Sequence, residues 1–121
     1  MNHVTIPDLT KSPPRPGRQL LGGRYAWLAR LADKVRAQHA GTNGEYVGYC
    51  ALSRAYLEAA GVSEADFDAL IDQGADDEDI VKYFDARVDQ AHRDASNKLM
   101  LEEHSADLNR QDAQEGYTPR S

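Results

Sequence analysis

From Leu20 to Ala40 the chain reads LLGGRYAWLARLADKVRAQHA. Apolar residues fall at Leu21, Tyr25, Leu28, Ala32 and Val35, in steps of four and three, and Leu20, Trp27 and Leu31 widen the stripe. This is the broad apolar face of an amphipathic helix, and it predicts a helix over 20–40 packed on a core. Gly22 and Gly23 should loosen that helix or mark its start. The opposite face carries Arg30, Asp33 and Arg36 at intervals of three, with Lys34 beside them. Residues three apart are neighbours on a helix, so Asp33 can sit between two guanidiniums. A solvated ladder of this kind contributes only a few tenths of a kcal/mol per pair. The other reading is an anion or polar-ligand site whose arginines Asp33 holds.

The remaining segments are punctuated clearly. Residues 1–17 contain Pro7, Pro13, Pro14, Pro16 and Gly17, which favour extended backbone over helix. They read as an arm laid over the domain, with Val4, Ile6 and Leu9 as anchors. After Gly41, Thr42-Asn43-Gly44-Glu45 reads as a tight turn, and Tyr46 to Tyr49 as a short extended segment or hairpin. A helix over 51–60 stops at Gly61. Ser63 is the N-cap of the next, over 64–73, with Asp66 at the reciprocal position and Val62 and Phe67 as a staple. Asp76 or Asp77 caps a last helix over 77–110, whose apolar stripe thins beyond Val88 to Ala91, Ala95 and Leu99. The polar tail after Leu101 should fray before Gly116. The expected fold is therefore all-α: about four helices with at most one short hairpin, the last helix long. The arm spans 1–17, the helical domain 18–90, and the C-terminal helix extension and tail 91–121. Leu28, Leu31, Ala32, Val35, Leu57, Phe67, Leu70, Ile71, Ile80 and Phe84 should form one core.

With 121 residues the chain has room for one modest core. Its mean hydropathy of −0.69 describes a soluble, polar protein. Nothing approaches the roughly 18 apolar residues of a membrane span, and residues 1–18 lack the apolar core of a secretory signal. Cys50 is the single cysteine, so no internal disulfide forms, and a cytoplasmic location is the default expectation. The net charge of −6 is unevenly spread. Residues 1–40 hold seven Lys/Arg against two acids, a net +5, whereas residues 41–121 hold seven against eighteen, a net −11. Complementary packing of the basic helix on acidic ones explains this better than a nucleic-acid surface, which the larger acidic part would repel.

The phosphate-loop, dinucleotide, serine-hydrolase and zinc-protease signatures are absent, and the acidic run from Asp72 to Ile80 lacks the spacing of a calcium loop. His3, His39, His92 and His104 do not fall at metal-ligand spacing, so neither a metal nor a cofactor is expected. Glu103, His104 and Asp107 share a helical face, read as solvated. Cys50 with His39 is conceivable as nucleophile and base, although a lone cysteine is more often a small buried apolar residue.

Several short pieces form a recognisable combination. Leu21-Gly22-Gly23, Leu28-Ala29-Arg30-Leu31 and Asp33-Lys34-x-Arg36-Ala37 come first, then Gly41, Gly44-Glu45-Tyr46, Cys50-x-Leu52, Tyr56-Leu57, and Gly61 with Phe67. Together they resemble the bacterial "domain of unknown function 5069" family, whose proline-arginine entry is matched by Pro14-Arg15-Pro16. The resemblance covers roughly residues 8–85. It implies a small, soluble, largely helical bacterial domain and names no activity. An acidic residue commonly follows the Cys-x-Leu in that family. This chain has Ser53 there, so a site using the acid would be altered.

A domain held by packing alone needs apolar periodicity, not the polar set Arg30, Asp33, Lys34, Arg36, Glu45, Tyr46 and Cys50. Polar groups gathered at a helix and an adjoining turn suit a small-ligand site, or equally a buried network locking turn to helix. Two functions follow. One is a non-catalytic binding or regulatory module acting through helical surfaces, with a protein partner or a homodimer through Leu99, Leu101 and neighbouring alanines. The other is a site for a small anion or metabolite, with or without catalysis, on the Arg30/Asp33/Arg36 face and the Gly44-Glu45-Tyr46 turn. Nucleic-acid binding is disfavoured and no membrane partner is expected.

Overall fold

The computed structural model describes residues 4–117; His3, with the start of the expected arm, and the end of the tail lie outside them. Six α-helices follow one another: α1 (Leu28–Ala40), α2 (Ala51–Ala60), α3 (Glu64–Asp72), α4 (Asp77–Arg87), α5 (Gln90–Lys98) and α6 (Ser105–Glu115), with a π-helical turn at Leu99–Glu103 joining the last two. The all-α class holds, and the described residues form no strand or hairpin, only an isolated bridge between Leu21 and Tyr25.

α1 is the central element. Every residue from Leu28 to Ala37 is buried, the charged ones included. It starts eight residues later than the apolar spacing predicts. Gly22 and Gly23 take φ of 61° and 72°, and Trp27 takes φ of 69°. The chain therefore doubles back, with the Leu21 and Tyr25 backbones bonded to each other at 2.9 and 3.2 Å. Leu21 and Tyr25 are both buried in this loop as they would be in a helix, so the spacing alone could not tell the two apart. Trp27 donates its backbone N–H to Gly17 O at 2.8 Å. A Cβ on Gly17 would stand 2.7 Å from the indole ring, so only glycine lets the arm lie this close.

α2 matches its expected span and ends at Gly61, φ 78°. Ser63 caps α3 through the Asp66 N–H at 3.1 Å, without the reciprocal bond expected from Asp66. At α4 the full box forms: Asp76 accepts from the Asp79 N–H and the Asp79 carboxylate accepts from the Asp76 N–H. The expected 77–110 helix is three helices and a π turn. Val88 is extended, with φ −101° and ψ 112°, and Asp89 caps α5 through the His92 N–H at 2.8 Å. The π turn, closed by His104 N–H to Leu99 O, puts Met100 fully in the core and packs Leu99 and Leu101 against it. α6 does not fray. It buries Leu108 and Asp112 and runs to Glu115 before Gly116, φ 82°.

α2 packs on α5, and α1 on α3. The core gathers Tyr25, Trp27, Leu31, Tyr56, Phe67, Phe84 and Met100 with their aliphatic neighbours; Leu70 is only partly buried against it. Phe84 is met edge-on by Tyr25 at 5.4 Å and by Phe67 at 6.3 Å. Of the expected arm anchors Leu9 is buried, bonded to Thr42 O at 2.8 Å, while Ile6 is 48% exposed.

Candidate functional site

Six of the seven candidate residues fall into two clusters, each built on residues of α1. In the first, Asp33 does not sit between Arg30 and Arg36. Its carboxylate accepts three bonds from Arg15 of the arm: the backbone N–H at 2.9 Å, Nε at 3.0 Å and Nη2 at 3.0 Å. Arg15 also donates to Asp77 at 2.8 Å, and Arg36 donates to Asp77 at 2.9 Å and to Ala75 O at 3.0 Å. Burial pushes the Asp77 carboxyl up, but Arg15 and Arg36 outweigh it and hold it below the usual value. The network ties the arm to α1 and to the first turn of α4, beside an open cavity of about 410 Å³. Asp33 is 9% exposed and Arg36 5%, so this is no solvated ladder.

The second cluster joins Arg30, Lys34, Tyr46 and Cys50, and adds three residues the sequence reading did not select: Trp27, Ser53 and Glu115. Arg30 grips Glu115 with two parallel bonds of 2.7 Å, both side chains almost fully buried. The Tyr46 hydroxyl donates to the same carboxylate at 3.3 Å. Arg30 and Lys34 share the Trp27 ring, at 5.6 and 5.3 Å from its centroid, and Arg30 is also 5.8 Å from that of Tyr46. Cation and ring face attract, and more so away from water.

Lys34 is 4% exposed, and its ammonium donates to Cys50 Sγ at 3.2 Å. Cys50 occupies the N-cap position of α2, half-buried, where the positive end of the helix favours an anion. The Ser53 hydroxyl lies 3.5 Å from the same sulfur. Its direction follows from Trp27, whose Nε1–H donates to Ser53 Oγ at 3.1 Å. An indole nitrogen only donates, so Ser53 accepts there and keeps its own hydrogen for Sγ. Ser53 is fully buried, and pointing that hydrogen elsewhere would leave it unanswered. Burial pushes the Cys50 thiol up, yet Lys34 and Ser53 outweigh it and the thiol lies below its ordinary value. Burial likewise lowers Lys34, with Cys50 pulling the other way. The arrangement makes the Cys50 thiolate easier to form than in an ordinary cysteine, while burial makes the Lys34 ammonium harder to keep.

Glu45 is exposed at its turn and joins neither cluster's hydrogen bonds. His39 is bonded to Asp68 at 2.8 Å rather than to Cys50, and Tyr49 donates to the same carboxylate. The Tyr46 turn closes by its N–H to Asn43 O at 2.9 Å. His104 meets Asp107 at 3.1 Å, as their shared face suggests. Among the described residues no group of three or more His, Cys, Asp or Glu is placed to hold a metal ion, and no helix is long and apolar enough to cross a membrane. Of the residues missed, Arg15 and Ser53 left a trace in the sequence as part of the proline-arginine entry and as the departure after Cys-x-Leu. Glu115 left none, since it lies 85 residues from Arg30.

The family model described as "Domain of unknown function (DUF5069)" matches residues 11–120, and the chain belongs to that family. The match runs well past the 8–85 carried by the short motifs and takes in α6 with Glu115. A comparison with curated proteins finds no match.

Proposed function

We propose that this member of the family works through Cys50 as an activated thiolate that captures a small electrophilic molecule beside Lys34 at the start of α2. The observation that carries it is the 3.2 Å contact between a buried lysine and a partly accessible cysteine at a helix N-terminus. Reactive cysteines occupy electropositive, partially exposed surroundings of this kind, whereas structural ones are buried among apolar groups. In the reaction Sγ supplies the electron pair for a new S–C or S–S bond, and the leaving group departs with the pair of the bond that breaks. Lys34 is placed to balance the thiolate before attack and to donate a proton afterwards. Whether turnover follows capture depends on the electrophile.

The test is the pH dependence of iodoacetamide alkylation at Cys50, followed by mass. The wild-type midpoint should lie below the ordinary thiol value of 9.0. Lys34→Met, which keeps bulk and removes charge, should raise it by about 1 pH unit or more. A wild-type midpoint at or above the ordinary value, unmoved by Lys34→Met, would sink the reading.

The surface reading, with a partner or second copy bound along the C-terminal helices, has less behind it. Leu99 and Leu101 pack against the chain's own core. The neighbouring Ala91 and Ala95 are exposed and offer little apolar area.

A further inference from the structure

Cys50 is the single cysteine, so an oxidised sulfur at this position has no second thiol in the chain with which to close a disulfide. The group that stands beside it is an amine. Lys34 Nζ lies 3.2 Å from Sγ, and among the described residues that sulfur is its only hydrogen-bonding partner. Cys50 is half-buried and Lys34 is 4% exposed, so a small reagent can reach the sulfur while the amine next to it is kept from solvent. The Ser53 hydroxyl, itself held by the Trp27 indole, meets the same sulfur at 3.5 Å. Burial weakens the grip of Lys34 on its proton, and a lysine that has lost its proton is a nucleophile.

We infer that Cys50 is a site of reversible oxidation by small hydroperoxides, in which Lys34 captures the oxidised sulfur through an S–N bond. The inference rests on Cys50 being the reactive group, and it adds a class of electrophile and a fate for the sulfur. In the first step the thiolate attacks the hydroxyl oxygen of the hydroperoxide. An S–O bond forms, the O–O bond breaks, and the alkoxide leaves with the electron pair and takes a proton from Lys34. Sulfur is oxidised to a sulfenic acid and the peroxide is reduced to an alcohol, or to water from hydrogen peroxide. In the second step the amine so freed attacks that sulfur. An S–N bond forms, the S–O bond breaks, and hydroxide leaves with the pair and collects the proton shed by nitrogen, giving water. Sulfenic acids condense with nitrogen in this way, and once condensed they are kept from the irreversible sulfinic and sulfonic stages. An external thiol reverses the bond by attacking sulfur and releasing the amine, and a second thiol then frees Cys50. While it lasts, the link pins the start of α2 to α1.

The test is peptide mapping of the full chain after a small excess of hydrogen peroxide, without reductant and with and without dimedone, which traps sulfenic acids. Wild type should yield the Lys34 and Cys50 peptides joined, about 2 Da lighter than their sum, with little dimedone adduct. Dithiothreitol should separate them. Lys34→Met should give no joined peptide, and its Cys50 should instead carry dimedone or pass on to sulfinic acid. Lys34→Arg, which keeps the charge without a nucleophilic amine, should do the same, and the wild-type map decides alone should neither variant fold. Dimedone adduct or sulfinic acid in wild type with no joined peptide overturns the inference. So does a 2 Da loss on the Cys50 peptide by itself, which places the bond at a backbone nitrogen. A thiol that iodoacetamide labels below the ordinary pH but that peroxide leaves untouched overturns it too, and leaves the thiolate reading standing. If neither reagent modifies Cys50, both readings fail.

Discussion

Asp33 shows how much one side chain in this protein is asked to hold. It is nearly buried, it lies on the most buried helix, and all three of its bonds go to a residue 18 positions earlier. Two of them charge-match the Arg15 guanidinium and one ties down the arm's backbone, so Asp33→Ala removes an ion pair and a backbone anchor together. Breaking a buried pair costs about 3–5 kcal/mol. Arg15 keeps Asp77 and is 28% exposed, which places the expected loss near the lower end. Urea unfolding should show it as a lowered midpoint, with Asp33→Asn recovering little because the amide cannot replace the charge. A loss under about 1 kcal/mol would mean that water already answers Arg15. Arg30 and Arg36 were expected as Asp33's partners because they are its helical neighbours. The fold instead sends each arginine to a different carboxylate, and long-range pairing of that kind has no period to read.

At the scale of the helices, local chemistry decides what was legible. Ser63 and Asp76 both precede a helix and both cap it, but to different extents. Ser63→Ala removes one bond and should cost about 0.5–2 kcal/mol. Asp76→Ala removes one half of a two-bond box, leaves the Asp79 N–H without its acceptor, and deletes a negative charge at the dipole's positive end. It should cost more than Ser63→Ala in thermal or urea unfolding, and the reverse order would mean that the Asp76 box adds nothing. Caps and glycine stops are written in adjacent residues, so α2, α3 and the start of α4 could be read directly. The loop at 20–27 could not, because Leu21 and Tyr25 face the core from a doubled-back loop as well as from a helix. Nor could the break at Val88-Asp89, whose capping bond runs to His92 without the usual acidic partner. The π turn carries Met100 into the core, and that placement is a property of the assembled core. The candidate site was half legible for the same reason: α1 supplied Arg30 and Lys34, and the turn supplied Tyr46 and Cys50, but Trp27 was read only as packing and Glu115 only as tail.

Over the whole molecule the uneven charge resolves into pairs. All five arginines of residues 1–40 meet carboxylates: Arg15 with Asp33 and Asp77, Arg18 with Asp112, Arg24 with Asp85, Arg30 with Glu115 and Arg36 with Asp77. All but Asp33 lie in the acidic remainder of the chain. Lys34 meets the Cys50 sulfur. The arginines of the basic third are thus paired within the fold, and this sets how the protein should respond to acid. Asp77 lies below its ordinary 3.8 because Arg15 and Arg36 outweigh its burial. Asp85 is also lowered, first by its bond from Tyr25, which with Arg24 outweighs the opposing effect of burial, although it is too exposed to contribute much. For a carboxylate depressed in the folded state, the unfolded chain binds the proton first as pH falls, so unfolding is favoured by acid. The stabilisation is therefore fully present above about pH 5, begins to weaken near 3.8, and is lost as pH passes through the lower folded values. Because Arg36 is nearly buried, losing the Asp77 charge leaves it an uncompensated cation against the core and should make the loss cooperative. Urea midpoints measured from pH 7 to pH 2.5 should be level down to about 5, begin to fall near 3.8 and drop steeply below it. Arg36→Met should flatten part of that fall, since Asp77 would keep only Arg15 to hold it down. A midpoint that instead drops between pH 7 and 6 would mean that groups other than these carboxylates set the response to acid.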